Sequence, residues 1–483
     1  MRYVRSAFPL LATTALLSGC AVGPHYVAPA SSAPAAFVGS PAVDSRTTAA
    51  PTVDLVNWWR GFDDPLLTSL VERALAQNLD LQQASARVVQ ARATLKNANA
   101  ALLPSGQVSG QAGETYQSLE TPIGRIGSAF LQFQRSTETY ELNLGASWEL
   151  DLFGGRDAAR DAARADWQAS AAGAVAARLA VAAQTADTYI AIRTLQARLE
   201  VARAQGDTQQ QLVDLIALQY RKGVAAELQV RQAEGALAQV RASIPALQNE
   251  LDMAMNALDV LIGVQPGSTR TELSAAASIP APPAISTAGG PTALLRRRPD
   301  IIAAERTLAA SNARIGVAVS EYYPKISLSG LLGTATTAAG GLFSGGATQA
   351  GGVFGLRWRL FDFGRVDAEI KAAKGRNAEA LAAYRLTVLR ASQDVEDAFS
   401  TLVQQEARSA ALVQGETSLT RARVASFAAY KGGVSSLIEV LDADRRLLET
   451  RDGAIQARAA ASRGAVASFR ALGGGWDPVI VAR

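Results

Sequence analysis

"ELNLGASWELDLFGGR" (residues 141–156) alternates apolar and polar residues without a break, then stops at a glycine pair. Leu142, Leu144, Ala146, Trp148, Leu150 and Leu152 share one parity, and Glu141, Asn143, Gly145, Ser147, Glu149 and Asp151 share the other. A period of two puts the sets on opposite faces of a strand. "VFGLRWRLFDFGR" (353–365) nearly repeats the pattern, with Phe354, Leu356, Trp358 and Leu360 in the apolar row and Arg357 and Arg359 in the polar one.

The duplication reaches beyond these strands. "DLQQASARVVQARATLKNANAALLPSGQVSG" (80–110) aligns with "DIIAAERTLAASNARIGVAVSEYYPKISLSG" (300–330) at an offset of 220, matching Pro104 to Pro324 and Gly110 to Gly330. From the alternating strands onward the offset is 210: Trp148 matches Trp358, and "QYRKGVAAELQV" (219–230) matches "AYKGGVSSLIEV" (429–440). An ordered internal repeat is the main organisational signal of the chain. Each copy reads as helix, strand, loop, strand, long helix, tight turn and helix. No proline interrupts Gly154 to Lys222, and a helix of that length, at ~1.5 Å per residue, would approach 100 Å. The alternative is two separate helices with a break, which Gly206 could mark.

Ordinarily an alternating strand belongs to a sheet with one side on a core and one in water. Rods of this length cannot fold back over ten-residue strands. A transmembrane barrel accommodates both, since its strands run about 9–11 residues with apolar side chains outward. The lipid-facing set is then Leu142, Leu144, Trp148, Leu150, Phe354, Leu356, Trp358 and Leu360, with the tryptophans suited to the membrane interface. Four strands cannot close a barrel, and open edges are not tolerated in hydrocarbon. More than one chain must therefore contribute.

The composition agrees with a helical chain: 48% of the 483 residues are hydrophobic but only 6% aromatic, alanine supplying much of the difference. After the first twenty residues no stretch stays apolar long enough to span a bilayer as a helix. At the start, Arg2 and Arg5 precede "AFPLLATTALL", a signal-peptide-like run ending in Leu17-Ser18-Gly19-Cys20. That ending resembles a bacterial lipobox, which makes Cys20, the only cysteine, the first mature residue and the acyl-bearing one. Ala21 follows rather than an aspartate, favouring the outer membrane. The net charge of +4 is spread along the chain, without a basic patch that would point to nucleic acid.

Catalysis finds no support. The only histidine is His25, and there is no nucleophile–His pair, Cys/His metal cluster or phosphate-cradling loop; no cofactor is expected beyond the lipid on Cys20. Gly223 and Gly433 sit where a helix end takes a left-handed residue, so 221–226 and 431–436 read as helical hairpins. In "LIEVLDADRRL" (437–447), Glu439 and Asp442 share a helix face, by itself a solvated surface.

Together these residues resemble an outer-membrane efflux lipoprotein of the TolC/OprM class, in its NodT-type branch. The marks are the lipobox followed by "VGPHYVAP", then "NWWRGFDDPLLTSLVERALAQNLDL", "RRRPDIIAAE", the F-G-G and F-G-R strand ends, and "ALGGGW" at 471–476. The fold class this implies is mixed α and β: long helices forming a periplasmic α-barrel, and four transmembrane strands per chain in a homotrimer with a twelve-stranded β-barrel. The expected division is a signal peptide (1–19), a lipidated and partly equatorial segment (20–77), a first repeat (78–262), an equatorial connector (263–299), a second repeat (300–472) and an equatorial tail (473–483). The resemblance further implies that the hairpin tips dock a periplasmic adaptor through Gly223, Val224, Ala225, Gly433, Val434 and Ser435. It implies a periplasmic gate at Tyr430, Ile438, Glu439 and Asp442, the two acids forming rings of three carboxylates in a trimer, while the first repeat carries Gln229 and Gln232 instead. An inner-membrane transporter of the RND type would complete the assembly, and the chain would be its passive duct for small amphiphiles. A protein-secretion channel and a structural envelope lipoprotein are the competing functions.

Overall fold

The computed structural model describes residues 22–30, 36–46, 54–286 and 290–477. A short α1 (Ser40–Asp44) and a 3-10 helix (Leu55–Phe62) precede α2 (Pro65–Gln77) and α3 (Leu79–Ala100). The Asp64 carboxylate accepts from the amides of Leu66 and Leu67, and Pro65 occupies the first turn, so α2 starts with its free donors satisfied. Next come β1 (Ser105–Tyr116), α4 (Pro122–Gly127), β2 (Ser136–Leu150), α5 (Gly155–Arg221) and α6 (Glu227–Ile262). The short α7 (Arg270–Leu273) and α8 (Gly290–Arg297) lead into the second repeat. That repeat contains α9 (Pro299–Ser320), β3 (Lys325–Thr336), β4 (Thr348–Arg357), α10 (Arg365–Lys431) and α11 (Leu437–Ala471).

The two copies match element by element. α3 and α9 have 22 residues each, β1 and β3 have 12, and α5 and α10 have 67. Gly206 lies inside an unbroken α5. Each long helix is capped by an aspartate just before it: Asp151 accepts from the amides of Arg156 and Asp157, and Asp362 from those of Gly364 and Val366. Carboxylates there satisfy orphan donors and complement the helix dipole.

Two compact units divide the chain. One comprises residues up to Pro29, Val89–Gln168 and Glu305–Ala383 and holds all four strands. They form one antiparallel sheet in the order β1-β2-β3-β4, so β2 and β3 join the two repeats. The other comprises Ala30–Val88, Ala169–Ala304 and Tyr384–Arg483. Its core gathers Trp58, Trp59, Phe62, Leu258, Phe399 and Phe469. Trp58 stacks on Phe469 with centroids 5.5 Å apart, and Gly474 is so close to both that a Cβ would lie 2.9 Å from the Phe469 carbonyl oxygen. This close approach accounts for a glycine in "ALGGGW".

Candidate functional site

The strand register sorts the sheet into two faces. Val108 pairs with Leu144, which pairs with Leu332; Trp148 lies opposite Leu328, and Leu328 opposite Phe354; Leu150 lies opposite Ile326, and Ile326 opposite Leu356. Directly opposed residues share a face, so these rows make one continuous apolar surface. Within one chain it is open: Leu144 is 53% exposed, Leu356 62% and Phe354 67%. Leu142 belongs to the same face. The opposite face carries polar and small residues, including Asn143, whose side-chain oxygen accepts from Gln349 at 2.8 Å. Among the described residues no helix is long and apolar enough to cross a membrane; the sheet is the element whose outer face suits lipid.

Two members of the expected apolar row need correction. β4 ends at Arg357, so Trp358 and Leu360 lie beyond it, whereas the matching Trp148 and Leu150 lie within β2. The physical reason is the neighbour: residues 148–150 are paired to β3, and among the described residues there is no fifth strand to hold 358–360. The two indoles nevertheless make equivalent bonds. Trp148 Nε1 donates to the Leu102 carbonyl and Trp358 Nε1 to that of Tyr322, each at 2.9 Å.

Both helical hairpins turn in the same way. Gly223 (φ +74°) and Gly433 (φ +72°) are left-handed. Their amides donate to Tyr220 and Tyr430, while Val224 and Val434 donate back to Gln219 and Ala429, the paired bonds of a Schellman helix end. These turns leave Val224 76% and Val434 85% exposed. Ala225 packs against a small core of Leu212, Ile216, Val230, Ala233, Leu437 and Val440, and the Ser435 hydroxyl donates to the Ser426 carbonyl. Thus the tips present one valine each on a rigid glycine turn.

Tyr430 ties the hairpins together by donating from its hydroxyl to Gln219 Oε1 at 2.9 Å; burial raises its pKa. Ile438 is exposed, and Glu439 receives a long hydroxyl bond from Ser436 at 3.5 Å. Asp442 is not a bare carboxylate. It pairs with Arg445 and Arg446, at 2.7 Å each, on its own helix. The hydrogen bond from Arg445, with the nearby Arg446 charge, holds its pKa low. Asp442 is thus ion-paired within its own helix, because arginines follow at the three- and four-residue spacings that meet there.

Asp444 was missed in the sequence. Its side chain is 1% exposed and pairs with Arg423 of α10 at 2.9 Å, while Gln209 of α5 donates to its other oxygen at 3.3 Å. Its position on the Leu437–Val440–Leu447 buried stripe was the available signal.

At the mature N-terminus, Cys20 lies outside the described residues. The segment after it is docked in the strand-bearing unit: Val22 N–H donates to the Phe153 carbonyl at 3.2 Å, and the Tyr26 hydroxyl bonds Glu305. His25 borders an open cavity of about 430 Å³ with Asp157, Arg160 and Arg306. Among the described residues no group of three or more His, Cys, Asp or Glu side chains could hold a metal ion.

With this geometry in place, comparison with known proteins is specific. The family description "Outer membrane efflux protein" matches residues 70–264 and 290–474, which are nearly the two repeats. The chain is 32% identical to nodulation protein T of Rhizobium leguminosarum bv. trifolii over 99% of each chain. It is 30% identical to the toluene efflux pump outer membrane protein TtgF of Pseudomonas putida, over 97% of each. The solved outer-membrane channel OprN aligns with a TM-score of 0.83 and 33% identity, covering 95% of this chain and 100% of that one.

Proposed function

The chain belongs to the outer membrane efflux protein family, and from that premise we propose that it is the passive exit duct of a tripartite efflux pump. Three copies close a twelve-stranded barrel, anchored additionally by lipid on Cys20. The hairpin tips receive a periplasmic adaptor through Gly223, Val224, Ala225, Gly433, Val434 and Ser435, and an RND-type inner-membrane transporter supplies the energy. Small amphiphilic compounds are the cargo, a reading supported by the toluene efflux relative. The chain supplies a wall and a constriction rather than catalysis.

The observation that carries this reading is a four-stranded sheet with an open apolar face and two free edges, continued by paired 67-residue helices. Open edges call for further strands in lipid. At the tip, Tyr430, Ile438, Glu439 and Asp442 form the constriction, with Asp442 charge-balanced by Arg445 and Arg446. Purified protein in planar bilayers should show cation-preferring pores whose conductance rises in the Glu439→Ala/Asp442→Ala double variant. A deletion strain should become sensitive to dyes and hydrophobic antibiotics. Absence of pores together with unchanged sensitivity would overturn the duct; unchanged conductance in the double variant would overturn the gate alone.

A further inference from the structure

Where the sheet meets the helices, the two repeats differ in charge. Ser105 and Ser147 lie opposite each other on β1 and β2, their hydroxyls 3.0 Å apart. The repeat offsets of 220 and 210 carry them onto Lys325 and Arg357, directly opposed on β3 and β4. Like charges in that relation destabilise a sheet, and the serine pair shows that the fold does not need them. We propose that the open cavity beside Lys325 and Arg357 binds the acid group of an anionic amphiphile, such as an aryl or alkyl carboxylate. The inference rests on the exit duct proposed above and names a class of its cargo.

The cavity measures about 350 Å³, and Arg156, Lys325 and Arg357 are the cations of its lining. Its three carboxylates are already engaged. Glu149 pairs with Arg156 at 3.0 Å, Glu321 pairs with Lys325 and with Arg359, and Asp151 accepts from the amides that open α5. Two donors stay open. Arg357 is exposed and makes no ion pair or side-chain hydrogen bond among the described residues. The Arg156 Nε–H is buried and meets no acceptor there, although its other nitrogens bond Glu149 and the Ala101 carbonyl. A buried donor left without an acceptor is costly. Water can satisfy that donor, but only an anion also offsets the charge of Arg357.

The rest of the lining selects the kind of anion and its source. Leu150, Leu152 and Val317 give the same cavity an apolar wall, which suits a ligand with an apolar body and one acid group. Glu149 lies opposite Ser327, and Ser327 opposite Gly355, so Glu149, Lys325 and Arg357 share the polar face of the sheet. In the proposed barrel that face lines the lumen, whereas the apolar face meets lipid. The ligand is therefore a passing solute rather than a membrane headgroup.

Isothermal titration of the full chain in non-ionic detergent tests the site with three probes: naphthoate, naphthylmethylammonium and inorganic phosphate. Each is corrected for partition into empty micelles. Naphthoate should bind, and Arg357→Gln, which breaks no ion pair, should weaken it about tenfold, the worth of one charge-assisted hydrogen bond. Arg92→Gln, at an exposed position on α3, should leave binding as it was. Equal binding of the ammonium probe, or a naphthoate affinity unmoved by Arg357→Gln, overturns the site. Phosphate bound as tightly as naphthoate overturns the preference for an amphiphile and with it the proposal. In cells, a deletion strain carrying Arg357→Gln should lose tolerance of naphthoate and keep tolerance of cationic dyes; unchanged tolerance of naphthoate overturns the cargo assignment. A strain whose tolerance of both compounds is independent of the chain overturns the duct itself, and the cargo assignment with it, a failure that titration of the site does not produce.

Discussion

Asp442 and Asp444 stand two residues apart on α11 and serve different ends. Asp442 is exposed, and its ion pairs stay within one helix, an arrangement of small energetic worth. Asp444 is buried and joins α10 and α5 to α11. Removing Arg423 strands that carboxylate without its counter-charge, so Arg423→Ala should cost roughly 2–3 kcal/mol, discounted for the partial exposure of the arginine. Asp442→Ala should leave the melting temperature of the detergent-solubilised protein where it was; equal losses in the two variants would refute the distinction. Residue 444 shows what sequence reading catches late, since its stripe position is local information but its partners lie on distant helices. A similar non-local network surrounds Tyr189, which donates to Asp64 and accepts from Arg193. Burial, then the bond to Asp64, pushes its pKa up to about 12. A free tyrosine ionises near 10, so between about pH 10 and 12 the unfolded chain sheds a proton that the folded one keeps. Stability falls as pH rises through that window. In Tyr189→Phe this part of the alkaline decline in melting temperature should disappear.

Elements were the most legible level because their signals are periodic and local. Alternation gave the strands, and glycines gave the hairpin turns. The end of β4 was not legible, because a strand's length depends on its neighbours. Hairpins offer the cleanest test at this scale. Gly432 and Gly433 are adjacent, yet only Gly433 has a positive φ, and nothing lies within 4 Å of a Cβ built there. The expected penalty of Gly433→Ala is therefore backbone strain alone, about 1–2 kcal/mol. Gly432→Ala meets only ordinary contacts and should be tolerated. Thermal melts of the two variants should separate; if they coincide, the left-handed requirement at 433 is wrong.

For the whole molecule, the proposed barrel gives a reason why one sequence pattern recurs at two distant places: in it, each copy of the repeat presents an apolar band to the same solvent at the same depth. Trp148 and Trp358 are the natural reporters of that depth, since their indoles bond equivalent carbonyls at the helix–strand turns. Trp58, Trp59 and Trp476 are instead buried in the helical unit. Tryptophan prefers the interfacial zone to the hydrocarbon centre. In proteoliposomes, lipids brominated near the headgroup should quench part of the emission, and lipids brominated near the chain ends should quench much less. Trp148→Phe and Trp358→Phe should each remove about half of the quenchable part, because the two sites are related by the repeat, and the double variant should remove nearly all of it. Quenching that survives the double variant, or that is strongest from the chain ends, would mean that the apolar rows of the sheet do not meet lipid as their alternation requires.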